Sequence, residues 1–346
     1  MALWLFLLCA VPVQGALKDA CESSALVQLQ TGVARRREID IVHILSMGRE
    51  ASCLVLNLAS GNGSHPTIFE PLNGVVEGEA IVTMSTQQAD STLQCLYDCH
   101  SCTTGVINTG SMTSLQDYCS ELEKMPEKMP YLVVKTTRIV DHGALVRAVP
   151  AQQLTSARFI VLLRDPRGVW ASTKPNTGWA IHSIPLICEL LALQALSLPE
   201  LAAAVGERLL ISVYEQWTLD TADFAGQVAH LVNEDVGEFQ LLGKDAQKEV
   251  TELLPPKWVA DLTKDELNQV ETDKNCMVYM ERVGYVAGSS ETSQIKDHAG
   301  LVAALSPEET AALEQLRSKQ SVLQTSVRDL PEEQKFVFEP AAKKHK

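Results

Sequence analysis

The chain has 346 residues, 46% of them apolar, and a formal net charge of −14. That length allows one large α/β domain with extensions, or two domains, with enough apolar content for a sizeable core. The acidic balance argues against the broad basic face that a nucleic-acid backbone requires. It leaves room for a local anion site built from a few convergent arginines.

The chain opens on an apolar stretch, Ala2 to Val13, with small Gly15 after it, which reads as a secretory signal peptide over residues 1–15. Residues 16–37 form a leader, and no other segment reads as a membrane span. Apart from Cys9, eight cysteines remain, and in an oxidising compartment they read as disulfide partners of undetermined connectivity. Four of them, Cys95, Cys99, Cys102 and Cys119, lack the paired knuckles of a zinc site, so no metal is expected. Asn62-Gly63-Ser64 is a glycosylation sequon.

Arg35-Arg36-Arg37 precedes a first strand, Ile39 to Leu45, which runs into Ser46-Met47-Gly48-Arg49-Glu50-Ala51-Ser52-Cys53-Leu54. A strand, a short loop and a helix start present backbone N–H groups to an anion, although the Walker A pattern is absent. A disulfide-rich insert, about residues 88–125, separates this unit from a second strand, Tyr131 to Lys135. The next strand, Phe159 to Leu163, is a continuous apolar run buried on both faces. It delivers Arg164 to its carboxyl end, where open α/β sheets bind ligands. Pro166 breaks the strand, a helix can start after Arg167, and Ser172 lies on it. An arginine fixed at a strand end with a hydroxyl on the next helix suits a terminal phosphate. The alternative is a buried strand that ends in a surface ion pair of Arg164 or Arg167 with Asp165.

Helix-compatible stretches follow at Ile184–Leu198 and Ala222–Val232, with a strand at Leu209–Tyr214 between them. Strands alternating with helices predict an α/β fold, a parallel sheet flanked by helices on both faces. From residue 287 the chain becomes a polar linker. Ser306-Pro307-Glu308-Glu309 then starts a helix that runs to about Leu323, read as a partner helix or a mobile tail over residues 287–346.

The spacing R-D-P-R-x-V-x-x-S from Arg164 to Ser172 resembles the 3′-phosphate-binding segment of Golgi carbohydrate sulfotransferases. That family uses 3′-phosphoadenosine-5′-phosphosulfate (PAPS) as sulfuryl donor. The segment Arg49-Glu50-Ala51-Ser52-Cys53 is similar to its 5′-phosphosulfate loop, R-x-G-S/T-S/T, with three departures. Ala51 stands where glycine is expected and resists positive φ, Cys53 replaces a hydroxyl, and Glu50 adds a negative charge beside the phosphates. Further matches fall in order over residues 38–286. Phe69-Glu70-Pro71-Leu72 resembles Y-E-P-L, Lys135-Thr136-Thr137-Arg138 resembles K-x-x-R, and Val213-Tyr214-Glu215 resembles Y-E-D with Gln216 in place of the acid. The segment from Asn275-Cys276-Met277 to Gly284-Tyr285 is similar to the closing helix and L-G-Y.

The resemblance implies a single P-loop-like sulfotransferase domain and transfer of a sulfuryl group from PAPS to a hydroxyl of a carbohydrate. The acceptors implied are of the N-acetylglucosamine, galactose or chondroitin type. In that reading Arg164 and Ser172 hold the 3′-phosphate. Ser52 and the loop hold the 5′ end, and Arg49 stabilises the departing phosphate. Glu70 is the first candidate for general base, or else pairs with Lys135 or Arg138 and organises the site; His182 is a second candidate. Lys135 and Arg138 are candidates for binding an anionic sugar. The family usually carries a longer membrane anchor than residues 1–15 supply, so the expected location is the Golgi lumen or secretion. The alternative function is a catalytically impaired relative that binds nucleotide or glycan without transfer.

Overall fold

The computed structural model describes residues 40–69 except 48, 49, 51, 62–64 and 66. It also describes 131–149 except 138, then 151–174, 183–233, and 256–328 except 257 and 291–293. The expected leader, the sequon and the cysteine-bearing insert lie outside the described residues.

Five strands form one sheet in the order β2-β3-β1-β4-β5: β1 Ile41–Leu45, β2 Thr67–Phe69, β3 Leu132–Thr136, β4 Arg158–Leu163 and β5 Leu209–Val213. Every pairing is parallel. All residues of β1 and β3 are buried, as the apolar runs require of strands covered on both faces. His43 lies in the middle of β1, stacked on Phe159 with ring centroids 5.1 Å apart. Burial pushes its pKa down to about 3, so it sits in the core as a neutral ring.

Side chains alternate between the two faces of the sheet. Ile41, Leu45, Leu132, Val134, Phe159, Val161 and Leu163 belong to one core. Helices α5 (Ile184–Leu196), α6 (Leu198–Val205) and α11 (Lys274–Val283) contribute to that same core. Val42, Ile44, Val133, Ile160 and Leu162 belong to the second core, with α1 (Ser52–Ala59) and α8 (Thr221–Val232). The remaining helices are α2 (His142–Ala148), α3 (Ala151–Leu154), α4 (Pro166–Thr173), α7 (Tyr214–Trp217), α9 (Trp258–Asp261), α10 (Lys264–Thr272), α12 (His298–Leu301) and α13 (Pro307–Arg328).

Helix α5 is apolar nearly all round, the pattern of a helix enclosed by its own domain. The stretch Ile184–Arg208 is long and apolar enough to cross a membrane, but most of it is buried inside the fold. A disulfide joins Cys188 on α5 to Cys276 on α11. Asp273 lies beside the two sulfurs and caps α11 through the N–H groups of Asn275 and Cys276. Cys53 departs from the disulfide expectation: it is free and exposed.

The structure corrects the expectation of a mobile C-terminal tail. Helix α13 is docked on the domain, with Leu313 and Leu316 buried in the first core. Arg317 Nη2 meets Asp141 Oδ1 at 2.7 Å and its Nη1 meets Glu200 Oε1 at 2.8 Å, fixing α13 to the cap of α2 and to α6. The linker composition of residues 287–306 concealed this, because the apolar stripe of α13 is narrow and its anchor is an ion pair.

Candidate functional site

The strand order reverses at β1: the chain leaves β1 toward β2 and β3 on one side, and later leaves β4 toward β5 on the other. The crevice at the carboxyl ends of β1 and β4 is therefore the topological switch point, where open α/β sheets take their ligands. Both of the sequence's candidate anion-binding segments end there. Leu45 pairs with Val161, so β4 runs further and sets Arg164 level with the loop that follows β1.

Asp165 ends the strand and starts α4. Its carboxylate accepts from the Arg167 N–H at 2.9 Å, and Pro166 occupies the first turn, where a missing N–H costs nothing. The helix thus starts at Pro166 rather than after Arg167. The peptide groups leaving the strand are held by side chains from distant segments. The Arg164 N–H donates to the Tyr279 hydroxyl at 3.1 Å, and the same hydroxyl donates to the Arg164 carbonyl at 3.0 Å. The Asp165 N–H donates to Glu215 Oε1 at 3.1 Å, and the Tyr285 hydroxyl donates to Glu215 Oε2 at 2.5 Å. Gly284, at φ 101°, makes the turn that brings Tyr285 back. A Cβ there would stand 2.2 Å from the Gln294 carbonyl oxygen.

Leu163 pairs with Val213, so the register places Arg164 beside Tyr214, and its guanidinium carbon lies 4.2 Å from the centre of that ring. On its other side Arg164 rests on Gly168, where an added Cβ would come within 3.0 Å of Arg164 Nε. Ser172 is one helical turn beyond Gly168 on the same face of α4. Arg164 and Ser172 are both partly buried, and Ser172 shares with Gly168 the face of α4 on which Arg164 rests.

Arg167 has a different task. Its side chain is 1% exposed and is bound to Asp165 at 2.7 Å and Glu271 at 2.8 Å, with the Trp258 ring 4.2 Å beneath it. The ion pair considered as an alternative thus exists, but it is buried, belongs to Arg167, and ties α4 to α9 and α10.

At the end of β1, Ser52 is the first residue of α1 and nearly buried, while Cys53 is exposed beside it. Glu50, expected to add a negative charge beside the phosphates, is fully buried. Its Oε2 accepts the Met47 N–H at 2.8 Å. Burial pushes its pKa well above the usual carboxylate range; the Met47 hydrogen bond, Gln194 and Arg164 oppose that shift. Burial, with the charge of Asp165 added, likewise raises Glu215 to about 7. Burial holds Tyr279 and Tyr285 well above the usual phenol range, so both remain hydrogen-bond donors. Lys135 lies near the end of β3, buried, with Ile44 and Phe69 as register neighbours. Arg49, Ala51, Glu70, Arg138 and His182 lie outside the described residues.

Three residues around Arg164 and Arg167 carried no signal of their own in the sequence. Tyr279 fell in the segment read as closing the domain, where only Tyr285 matched a named position, and Gly168 and Glu271 were not singled out. Each acts through a contact with a residue distant in sequence or through the absence of a side chain.

No family model matches the sequence, and no curated protein matches it. Among solved structures, the chain is similar to mouse sulfotransferase SULT7A1 complexed with PAP, at 11% identity over 88% of this chain and 92% of that one, with a TM-score of 0.34. It is similar to the sulfotransferase domain of the Synechococcus PCC 7002 olefin synthase at 16% identity, covering 86% and 98%, with a TM-score of 0.40. It is also similar to retinol dehydratase in complex with androsterone and the inactive cofactor PAP, at 12% identity, covering 82% and 81%, with a TM-score of 0.32. Superpositions this loose carry no argument; the sheet order and the crevice stand on this chain's own geometry.

Proposed function

We propose that the chain binds PAPS at the β1–β4 switch point and transfers its sulfuryl group to a hydroxyl of a carbohydrate acceptor. The observation that carries the reading is the placement of Arg164. It is fixed at the strand end, flanked by Tyr214, and rests on a glycine that leaves room for it, with Ser172 one turn away on the same helical face. A guanidinium and a hydroxyl at that spacing fit the 3′-phosphate of the donor, and a Cβ at Gly168 would occupy the space the guanidinium uses.

In this reading Arg164 and Ser172 bind the 3′-phosphate and set the register of the nucleotide. The N–H groups at the start of α1, with Ser52, hold the 5′ end. Arg49 neutralises charge on the departing phosphate, and Glu70 or His182 takes the proton of the acceptor hydroxyl. Lys135 and Arg138 serve an anionic acceptor. The Cys188–Cys276 disulfide accords with a protein of the secretory pathway, in the Golgi lumen or beyond it.

A second reading, nucleotide or glycan binding without transfer, is favoured by the 5′ loop, where an exposed thiol stands at Cys53 in place of a hydroxyl. Two measurements separate the readings. Titration calorimetry with adenosine 3′,5′-bisphosphate (PAP) should show saturable binding by the wild type, and its absence would remove the donor site altogether. Labelled sulfate transfer from PAPS to a panel of sugars then tests turnover. Silence across the panel with PAP binding intact selects the non-catalytic reading.

A further inference from the structure

We infer that Tyr279 is a positioning residue for nucleotide recognition: its hydroxyl fixes the Arg164 peptide and so aims the guanidinium at the 3′-phosphate. The inference rests on the donor reading above. Arg164 is the first residue past the β4–β5 ladder, whose last paired residues are Leu163 and Val213. Its N–H and carbonyl lie where that ladder ends, and each needs a hydrogen-bond partner out of water. The Tyr279 hydroxyl supplies both, accepting from the Arg164 N–H at 3.1 Å and donating to its carbonyl at 3.0 Å.

The residue that does this is itself rigidly held. Tyr279 is fully buried, and its ring stacks on Tyr285 with centroids 6.3 Å apart. One turn earlier on α11, Cys276 is bonded to Cys188 of α5. One turn later, Arg282 donates to the carbonyls of Leu301 and Ala303. A side chain that must be placed to within a fraction of an ångström is best supported by a partner locked on a rigid element. Glu215, held in turn by the Tyr285 hydroxyl, accepts the Asp165 N–H of the same peptide whose carbonyl Tyr279 engages, and so acts on the cap of α4. Tyr279 alone among these three contacts the backbone of the arginine.

The test compares wild type with Tyr279→Phe, which keeps the ring and removes the hydroxyl, using PAP and adenosine 5′-monophosphate as calorimetric ligands. Only PAP carries the 3′-phosphate. Tyr279→Phe should weaken PAP about tenfold, the size of one lost hydrogen bond read through affinity, and leave the monophosphate within about twofold. Met280→Ala, a cavity on the same helix, is the control for packing alone. Equal weakening of both ligands, no change for PAP, or the same PAP loss in Met280→Ala would overturn the inference while leaving the donor site intact. If wild type binds PAP no more tightly than the monophosphate, the 3′-phosphate assignment fails and the inference with it. Amide exchange on the wild-type chain gives a second readout that needs no variant. The Arg164 N–H should gain protection with PAP and not with the monophosphate, and equal protection by both ligands counts against Tyr279.

Discussion

The carboxyl ends of β4 and β1 use the same strand–loop–helix plan, and the structure finishes them differently. After β4, the helix has a side-chain cap and a proline in its first turn, and both peptides entering it are held by side chains from the C-terminal half of the chain. After β1, the loop's own carboxyl group turns back to its own backbone at Met47. The comparison teaches that an anion site is built less by the residue that touches the anion than by what fixes its backbone. By that measure the 3′ half of the proposed site is assembled in advance, and the 5′ half carries the chain's departures from the family pattern.

Four outcomes test this contrast. Arg164→Ala removes a charged contact and should weaken PAP about 100-fold with little effect on the monophosphate, measured by calorimetry. Equal losses for both ligands would place Arg164 at the 5′ end and reverse the comparison.

Glu215 gives a pH signature next in size. Its folded pKa, about 7, lies above the ordinary 4.5. The stability it contributes is therefore fully present below about pH 4.5 and is lost as pH rises through about 7. Glu215→Gln should flatten that fall by on the order of 2 kcal/mol in denaturant unfolding followed against pH. The buried imidazoles of His43 and His142, lowered to about 3 and about 4, work in the opposite direction as pH drops below 6.5. Both variants share them, so only the difference curve isolates Glu215. A difference curve with no slope across this window would mean that Glu215 does not hold its proton in the folded chain.

Gly168→Ala should weaken PAP several-fold, because the new methyl meets Arg164 Nε at about 3.0 Å and displaces the guanidinium. Unaltered affinity would show that Arg164 leaves the helix surface when it binds. The smallest effect belongs to the β1 side. Glu50→Gln keeps the shape and an acceptor for the Met47 N–H, and should leave PAP affinity within about twofold. A large gain in affinity would mean that an ionised Glu50 faces the phosphates, contrary to its buried placement.

The sheet was legible in the sequence because its strands are uninterrupted apolar runs, and a parallel sheet buried on both faces leaves few other solutions. All four strands expected from such runs appear within two residues of their expected bounds, whereas the three-residue β2 is too short to leave a pattern. The position of Ser172 one turn beyond Gly168 was legible because helical spacing is written directly in the numbering. The division of labour between Arg164 and Arg167 was not. Both arginines flank the same aspartate, and it is Glu271 and Trp258, far along the chain, that hold Arg167 in its buried ion pair with Asp165. Tyr279 was illegible for the same reason, since a tyrosine on a helix has no sequence mark that tells a peptide clamp from a core ring. The docked α13 was missed because its buried apolar stripe is short, Leu313 and Leu316, and its polar tether is Arg317, a residue type that usually means solvent.

The clamp also bears on synthesis. Chains leave the ribosome from the N-terminus, and the last strand of the sheet, β5, ends at Val213. Arg164 gains its tether only once Tyr279 has emerged, 115 residues later in the chain. On the proposed reading, a nascent protein with all five strands made would still hold the 3′-phosphate about tenfold more weakly than the finished chain, so that tight binding reports late synthesis rather than early. On that reading, PAP added during translation would stabilise finished chains more than those stalled before α11.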